Sequence, residues 1–492
     1  MAEAAKKYDL IIKNVRVVRP DAKAVEDSDI AVAAGKFASV RPGISVGDAK
    51  SVYDGKGRLA FPGVVDAHMH TGIYAPLAED AASESRAAAQ GGVTTSLNYF
   101  RTGQYYLNRG GPYAECFPEV LKLSEGRFHV DYGYHLAPMD RIQISEIGDL
   151  VEKHGVSSFK IFMFYGSHGL HGRSDSQRDF LMIGDGERYD YAHFEFVMRG
   201  VQAARERFPQ KAAQISLSLH CETAEIMTAY SKIVENEGKL SGLAAYHAAR
   251  PPHSEGLAVF IASYLAAETA LPNINLLHLS SKKAVQAALQ MAALFPHIDF
   301  RREVTIGHLM LDTSAKAGVL AKVNPPIRPR EDVEYLWQKL AEGAIDWVVS
   351  DHACCRHETK SAKNALGNVW LAKSGFGGTE YLLASLVSEG TRRGVPLNRL
   401  AALTSANPAR RFGANAKGDI AEGLDADLAL VDPRETWTIR AAGSESTQGY
   451  TPFEGLELSA RVKATFLRGE LVCENGRVLG PPRGRYLHRP TP

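Results

Sequence analysis

Two histidines separated by one residue, His68 and His70, close the run FPGVVDAHMHTG. In a strand, side chains at i and i+2 share a face, so both imidazoles would be presented together, as a metal ion requires of nitrogen ligands. The pair alone means little, because 17 histidines in 492 residues give roughly 0.6 such pairs by chance. Its weight comes from three further apolar runs that end in a ligand type: LSLHCE at His220, LLHLSS at His278 and VVSDHA at Asp351. Taken singly, each reads equally well as a hydrogen-bonded core histidine or a helix-capping aspartate. Four strands that each deliver a nitrogen or oxygen ligand at the same end point to one shared site. A fifth run, VSSFKIFMFYG, places Lys160 among apolar residues, where an ammonium is costly. A buried salt bridge, or an ammonium reaching out of the fold, would account for it. So would a neutral amine that has added carbon dioxide to give a carbamate, a carboxylate on a long stem able to bridge two metal ions.

Ligands at the tips of successive strands need a scaffold that brings those tips together. Between residues 60 and 420 short apolar runs (156–164, 213–220, 273–280, 344–351) alternate with amphipathic stretches such as SKKAVQAALQMAALF and REDVEYLWQKLAEG. That alternation predicts βα units on a parallel sheet. About 360 residues of it suit a (β/α)8 barrel of the TIM type with insertions, whose C-terminal rim gathers groups from several strands. A doubly wound open sheet is disfavoured because no GxGxxG follows the first strand. The first sixty residues alternate in the strand manner, with Gly35 and Gly55 at turns, and the same character returns after residue 421. The predicted class is therefore α/β: a barrel domain over 61–420 and a small β-sandwich built from both chain termini, 1–60 and 421–485.

Composition excludes several classes. With 57 basic and 56 acidic side chains the net charge is +1, and no basic stripe or recognised module appears, so no nucleic-acid partner is expected. The opening MAEAAKKYDLIIKNV lacks the apolar core of a secretory signal. The longest near-apolar stretch, Gly256 to Ala267, is too short to span a bilayer and reads as a buried helix, so no membrane association is expected either. Five scattered cysteines do not suggest a disulfide framework, and the adjacent Cys354 and Cys355 read as small buried thiols. A cytoplasmic enzyme is the expectation.

The pieces GVVDAHMH, SFKIFMFY, LHCET, LLHLSS, NPPIR (324–328), SDHA, SANPARRFG and GLDADLALVD together resemble the cyclic amidohydrolases of the amidohydrolase superfamily, the D-hydantoinase, dihydropyrimidinase and allantoinase type. The resemblance runs in family order from Leu10 to about Leu479. It implies that His68, His70 and Asp351 hold one divalent ion and His220 and His278 a second, with carbamylated Lys160 as the bridging ligand. Zinc is the ion implied, with manganese or cobalt as substitutes. It further implies that a metal-bridging hydroxide opens the C–N bond of a cyclic amide, imide or ureide. Asp351 would shuttle the proton, Tyr165 would donate to the oxyanion, and Asn324 would contact substrate. Homodimers or homotetramers are common in the family.

Three departures bear on substrate. Gly72 stands where dihydroorotases carry a carboxylate-binding arginine. Phe376, in SGFGGT, occupies the place of an asparagine that orients the ring in hydantoinases. The stretch 167–190 is long, carries Phe180 to Ile183 among polar residues, and leaves the barrel two residues after Tyr165, which suggests a lid. An acyclic amide, carbamate or enamide is the alternative small-molecule substrate, and a non-catalytic scaffold is the third reading.

Overall fold

Eight parallel strands follow one another around a barrel: Val64–Met69, Val93–Arg101, Asp131–Ala137, Ser158–Phe162, Ser216–His220, Asn273–Leu276, Asp299–Thr305 and Trp347–Val349. The computed structural model describes residues 6–166, 168–172 and 176–491. Each strand bonds to its sequence neighbour in parallel register. The ring closes where Met69 bridges His352 and the His70 amide donates to the His352 carbonyl at 2.7 Å. Seven of the eight strands are buried along their whole length, as expected of a sheet covered on both faces. Helices fill the crossovers, among them Tyr191–Arg207, Lys282–Leu294 and Arg330–Ala341. Their starts are set locally: the Asp190 carboxylate accepts from the amides of Ala192 and His193, and the Ser281 hydroxyl from that of Ala284.

The two chain ends share one eight-stranded sheet. The strand Ala49–Pro62 lies at its middle, with Tyr8–Val17, Glu26–Ala33 and Lys36–Arg41 to one side and Leu428–Asp432, Arg461–Leu467, Glu470–Glu474 and Arg477–Val478 to the other. Ala49–Pro62 pairs antiparallel with Leu428–Asp432, so the ends of the chain meet at that seam. The far edge returns toward the seam, where the Phe37 amide donates to the Leu424 carbonyl at 2.9 Å. The sheet thus closes over a core of Ile12, Ile30, Phe37, Leu428, Leu430 and Phe466. The central strand passes into the barrel through Gly63, where a Cβ would lie 2.2 Å from Thr94 Oγ1.

Two features depart from the sequence expectation. Residues beyond 485 return to the barrel floor: the Leu487 amide donates to the Tyr132 carbonyl at 2.7 Å, and buried Arg489 donates to Ser158 Oγ at 3.2 Å and to the Phe412 carbonyl at 3.1 Å. The helix Pro252–Glu268, apolar on all sides, is not buried all round: Leu257, Phe260 and Tyr264 are 44%, 38% and 59% exposed. Among the described residues, no helix is long and apolar enough to cross a membrane, and all five cysteines are buried and free.

Candidate metal centre

All six ligand candidates sit on the C-terminal rim. His68 lies near the end of its strand, His70 just beyond it, Lys160 within its strand and His220 at the last position of its own. His278 and Asp351 each follow their strand by two residues, and both take a left-handed backbone, with φ of 33° and 54°. Non-glycine residues pay for that conformation, and it redirects both side chains at the point where the strand ends.

The resulting geometry is tight. His68 Nε2 lies 3.2 Å and His70 Nε2 3.3 Å from Asp351 Oδ1. Ligand atoms held about 2.0–2.2 Å from one tetrahedral ion would stand about that far apart. Lys160 Nζ is 3.2 Å from the same His68 Nε2, and the His220 and His278 rings stand 4.3 Å apart, centre to centre. Buried His278 Nδ1 has no hydrogen-bond partner, an orphaned lone pair that suits a ligand atom.

Outer partners fix which nitrogen faces inward. Glu303 accepts from His68 Nδ1 at 2.7 Å, from the His278 amide at 3.1 Å and from Trp347 Nε1 at 2.9 Å, which leaves the His68 Nε2 lone pair toward the site. Glu222, itself paired with Arg250 at 2.5 Å, accepts from His220 Nε2 at 2.6 Å and leaves Nδ1 free. The Tyr106 hydroxyl lies 2.7 Å from His70 Nδ1. These supports escape the sequence reading. Glu222 was signalled by its i+2 relation to His220 in LHCE, whereas Glu303 lies in DFRREVT, whose charges read as a solvated segment.

Burial, with help from the Lys160 charge, lowers the pKa of all four histidines, so their imidazoles are neutral and able to ligate. Burial likewise brings the Lys160 amine down to about 7. At Asp351 burial would raise the pKa, but His68, His70 and Lys160 outweigh it and hold the carboxyl below its ordinary range. Neutral imidazoles, a deprotonated carboxylate and a readily deprotonated amine form the donor set of a divalent-metal site.

Around it lies a pocket lined in part by Tyr106, Tyr165, Asn324 and Ser374. Burial raises the Tyr165 pKa, opposed by Arg101, whose Nε lies 3.3 Å from the phenol oxygen. The Asn324 side chain is engaged within the protein, accepting from Tyr246 Oη at 2.5 Å and donating to the Leu170 carbonyl at 2.8 Å. Phe376 is not brought to the pocket. Gly375, at φ 94°, turns the chain so that the Phe376 ring packs on Phe453 and against Gly307, while Ser374 and Gly375 line the cavity. Of the stretch 167–190, residues 167 and 173–175 lie outside the described residues. In the rest, Leu170 lines the pocket and Phe180 packs 5.0 Å from the Tyr165 ring.

The amidohydrolase family model matches residues 197–472. The chain is 34% identical over 490 residues to an allantoinase of Rubrobacter xylanophilus, covering 98% of this chain and 97% of that one. The chain belongs to the amidohydrolase family, among its cyclic amidohydrolases. An allantoinase of Salmonella newport is 30% identical over 98% of both chains. Among solved structures of amidohydrolases, an L-hydantoinase (dihydropyrimidinase) from Arthrobacter aurescens superposes with a TM-score of 0.83 at 26% identity, covering 97% of this chain and 99% of that one. A D-hydantoinase (dihydropyrimidinase) from Thermus sp. gives 0.81 at 26% identity, over 98% and 99%.

Proposed function

We propose that this amidohydrolase opens the C–N bond of a cyclic amide, imide or ureide at a binuclear centre. His68, His70 and Asp351 would hold one divalent ion, and His220 and His278 the other. Lys160 would bridge them as a carbamate: its neutral amine forms a bond to the carbon of carbon dioxide and releases a proton, leaving a carboxylate. The observation that carries this reading is the approach of both histidine Nε2 atoms to Asp351 Oδ1 at 3.2 and 3.3 Å, beside the orphaned His278 Nδ1. The donor set suits zinc and also accommodates manganese or cobalt. When bound, such ions supply Lewis acidity, acidifying water and polarising a carbonyl. Asp351 takes a proton from the attacking water and passes it to the leaving nitrogen. Arg101 occupies a lone pair of the Tyr165 oxygen, so the phenol proton is free to meet the developing oxyanion, a contribution typically worth about 3 kcal/mol.

A homodimer or homotetramer is part of the proposal. Leu257, Phe260 and Tyr264 form an outward stripe on one helix. A neighbouring helix, joined to it by the Tyr230–His253 ring contact at 5.2 Å, adds exposed Tyr230 and Ile233. A patch of that kind is usually covered by a partner. The absence of disulfides fits a cytoplasmic location.

The test combines metal analysis by plasma mass spectrometry of protein grown with zinc and bicarbonate with turnover of hydantoin, dihydrouracil, allantoin, succinimide and an acyclic amide. About two ions per chain with ring opening are expected. Turnover of the acyclic amide alone would transfer the site to the alternative substrate class, and failure to acquire metal would leave a scaffold.

A further inference from the structure

One wall of the pocket, at Leu170, Asn324, Ser374 and Gly375, rests on basic side chains for which the described residues supply no carboxylate. Fully buried Lys322 donates from Nζ to the carbonyls of His171 at 3.0 Å and Ala372 at 2.7 Å. Fully buried Lys360 donates to the carbonyls of Lys322 at 3.0 Å and Gly375 at 2.7 Å. Half-buried Lys373 reaches Tyr105 Oη at 3.4 Å. Arg101, 1% exposed, lies among the rings of Tyr106, Tyr165 and Phe180 and donates to the carbonyls of Thr102 and Gln104. Among the described residues none of the four has a carboxylate partner. Among the described residues, the Cys355 thiol is the one acidic group acting on Lys360 and Lys373, and none acts on Lys322.

Three polar atoms near the pocket are also buried without a hydrogen-bond partner: Ser374 Oγ on its lining, Arg101 Nη2 beside the lining rings of Tyr106 and Tyr165, and His171 Nε2 on the ring next to Ser374. The His171 tautomer follows from its surroundings. The Ser374 amide donates to Nδ1 at 3.0 Å, and burial together with the nearby lysines and Arg101 keeps the ring neutral, so its proton sits on Nε2 with no acceptor. Burial without an acidic partner pushes the Lys322 amine well down from its usual range and brings the Lys360 amine to about 7, so both stand ready to take up a proton beside an anion. Buried donors left open in this way are destabilising unless something else completes them.

We propose that this wall receives a carboxylate carried by the substrate, so that the preferred substrate is a cyclic amide, imide or ureide bearing an anionic side group directed at Arg101, His171 and Ser374. A carboxylate offers paired acceptor oxygens to a guanidinium N–H, an imidazole N–H and a hydroxyl, and its charge favours the protonated form of the lysines behind them. The inference rests on the ring-opening reading for the substrate's ring, while the anion site stands on its own geometry.

The experiment compares kcat/KM of the metal-loaded enzyme on hydantoin-5-acetic acid and on its primary amide. In parallel, calorimetry measures binding of glutarate against glutaramide. The acid should be preferred roughly 30-fold or more, since a charge-assisted contact distinguishes it from the amide, and the preference should shrink in 1 M salt. Arg101→Met should bring the ratio toward one. Lys373→Met, which alters a half-buried side chain outside the core, should lower it roughly threefold, the effect of a partly screened charge. Equal turnover of acid and amide would overturn the anion site and leave ring opening intact. If neither ring is opened, the ring-opening reading fails and the binding arm decides. Glutarate bound more tightly than glutaramide, with the difference reduced in Lys373→Met, supports the wall; equal binding overturns it.

Discussion

The molecule treats buried charge in two opposite ways. Where the terminal sheet meets the barrel, Lys417 Nζ is ringed by Asp131 at 2.8 Å, Asp427 at 2.6 Å and Asp425 at 3.2 Å, and Arg468 closes the far side of Asp131 at 2.5 Å. At the barrel mouth, Arg101, Lys322 and Lys360 are equally buried yet meet no carboxylate among the described residues, and Lys160 lies against His68. Arg489 on the floor also lacks a carboxylate but donates to Ser158, Phe412 and Tyr134 oxygens. A saturated cluster holds parts together, and an open one has capacity left for a ligand. Among the described residues, three groupings of histidine, cysteine and carboxylate side chains are close enough to be considered for metal. Two are engaged from within: Asp131, Asp425 and Asp427 by Lys417, and Glu84 by His352 at 2.8 Å, although Asp80 beside it keeps one oxygen unpartnered. The third, His68, His70 and Asp351, is the one at the rim.

That contrast can be tested from both sides. The largest effect should come from Lys160→Ala, which removes the proposed bridge: kcat/KM should fall roughly a thousandfold, as loss of metal-borne charge stabilisation implies. Bound metal should fall with it by plasma mass spectrometry, and near-native activity would break the assignment. Lys417→Met leaves Asp427 without a cation, while Asp131 keeps Arg468 and Asp425 keeps Lys36, and should cost about 3–5 kcal/mol of stability in urea unfolding. The folded enzyme should keep its kcat, so a selective loss of activity would contradict a purely structural role.

Asp80 is an intermediate case. One oxygen accepts the Gly72 amide at 2.9 Å, the other is buried without a partner, and burial pushes the carboxyl up to about 7. Between the ordinary carboxylate pKa and about 7 the folded state holds a proton that the unfolded state has released, so stability falls as pH rises through that window. Asp80→Asn should flatten this dependence and gain about 3 kcal/mol at pH 7, read from melting at pH 5 and 7.5; an unchanged slope would refute it. The smallest effect is expected from Glu303→Gln, which loosens the orientation of His68 and should weaken metal affinity roughly 10- to 100-fold in competition with a chelator.

Much of this was legible in the sequence, for reasons that also explain what was not. The strands bearing His68, His220, His278 and Asp351 are apolar runs with an abrupt polar tip, and Lys160 is conspicuous because its neighbours are apolar. The strand Asp299–Thr305 carries two arginines and Glu303, so burial did not announce itself in composition. Phe376 was misplaced because one turn at Gly375 decides whether it faces cavity or core, and spacing does not encode that turn. The outward face of Pro252–Glu268 escaped notice because an apolar sequence gives no sign of which partner covers it. For the terminal sheet, alternation revealed strands at both ends but not the seam between Ala49–Pro62 and Leu428–Asp432.

That seam sets a timetable for biosynthesis. The strands Tyr8–Val17 and Ala49–Pro62 leave the ribosome roughly four hundred residues before Leu428–Asp432. At about 5–20 residues per second they wait some 20–80 seconds with the open edge of Ala49–Pro62 unpaired. A chaperone or the growing barrel must shield that edge, and variants that slow translation of the middle of the chain should aggregate through its first sixty residues.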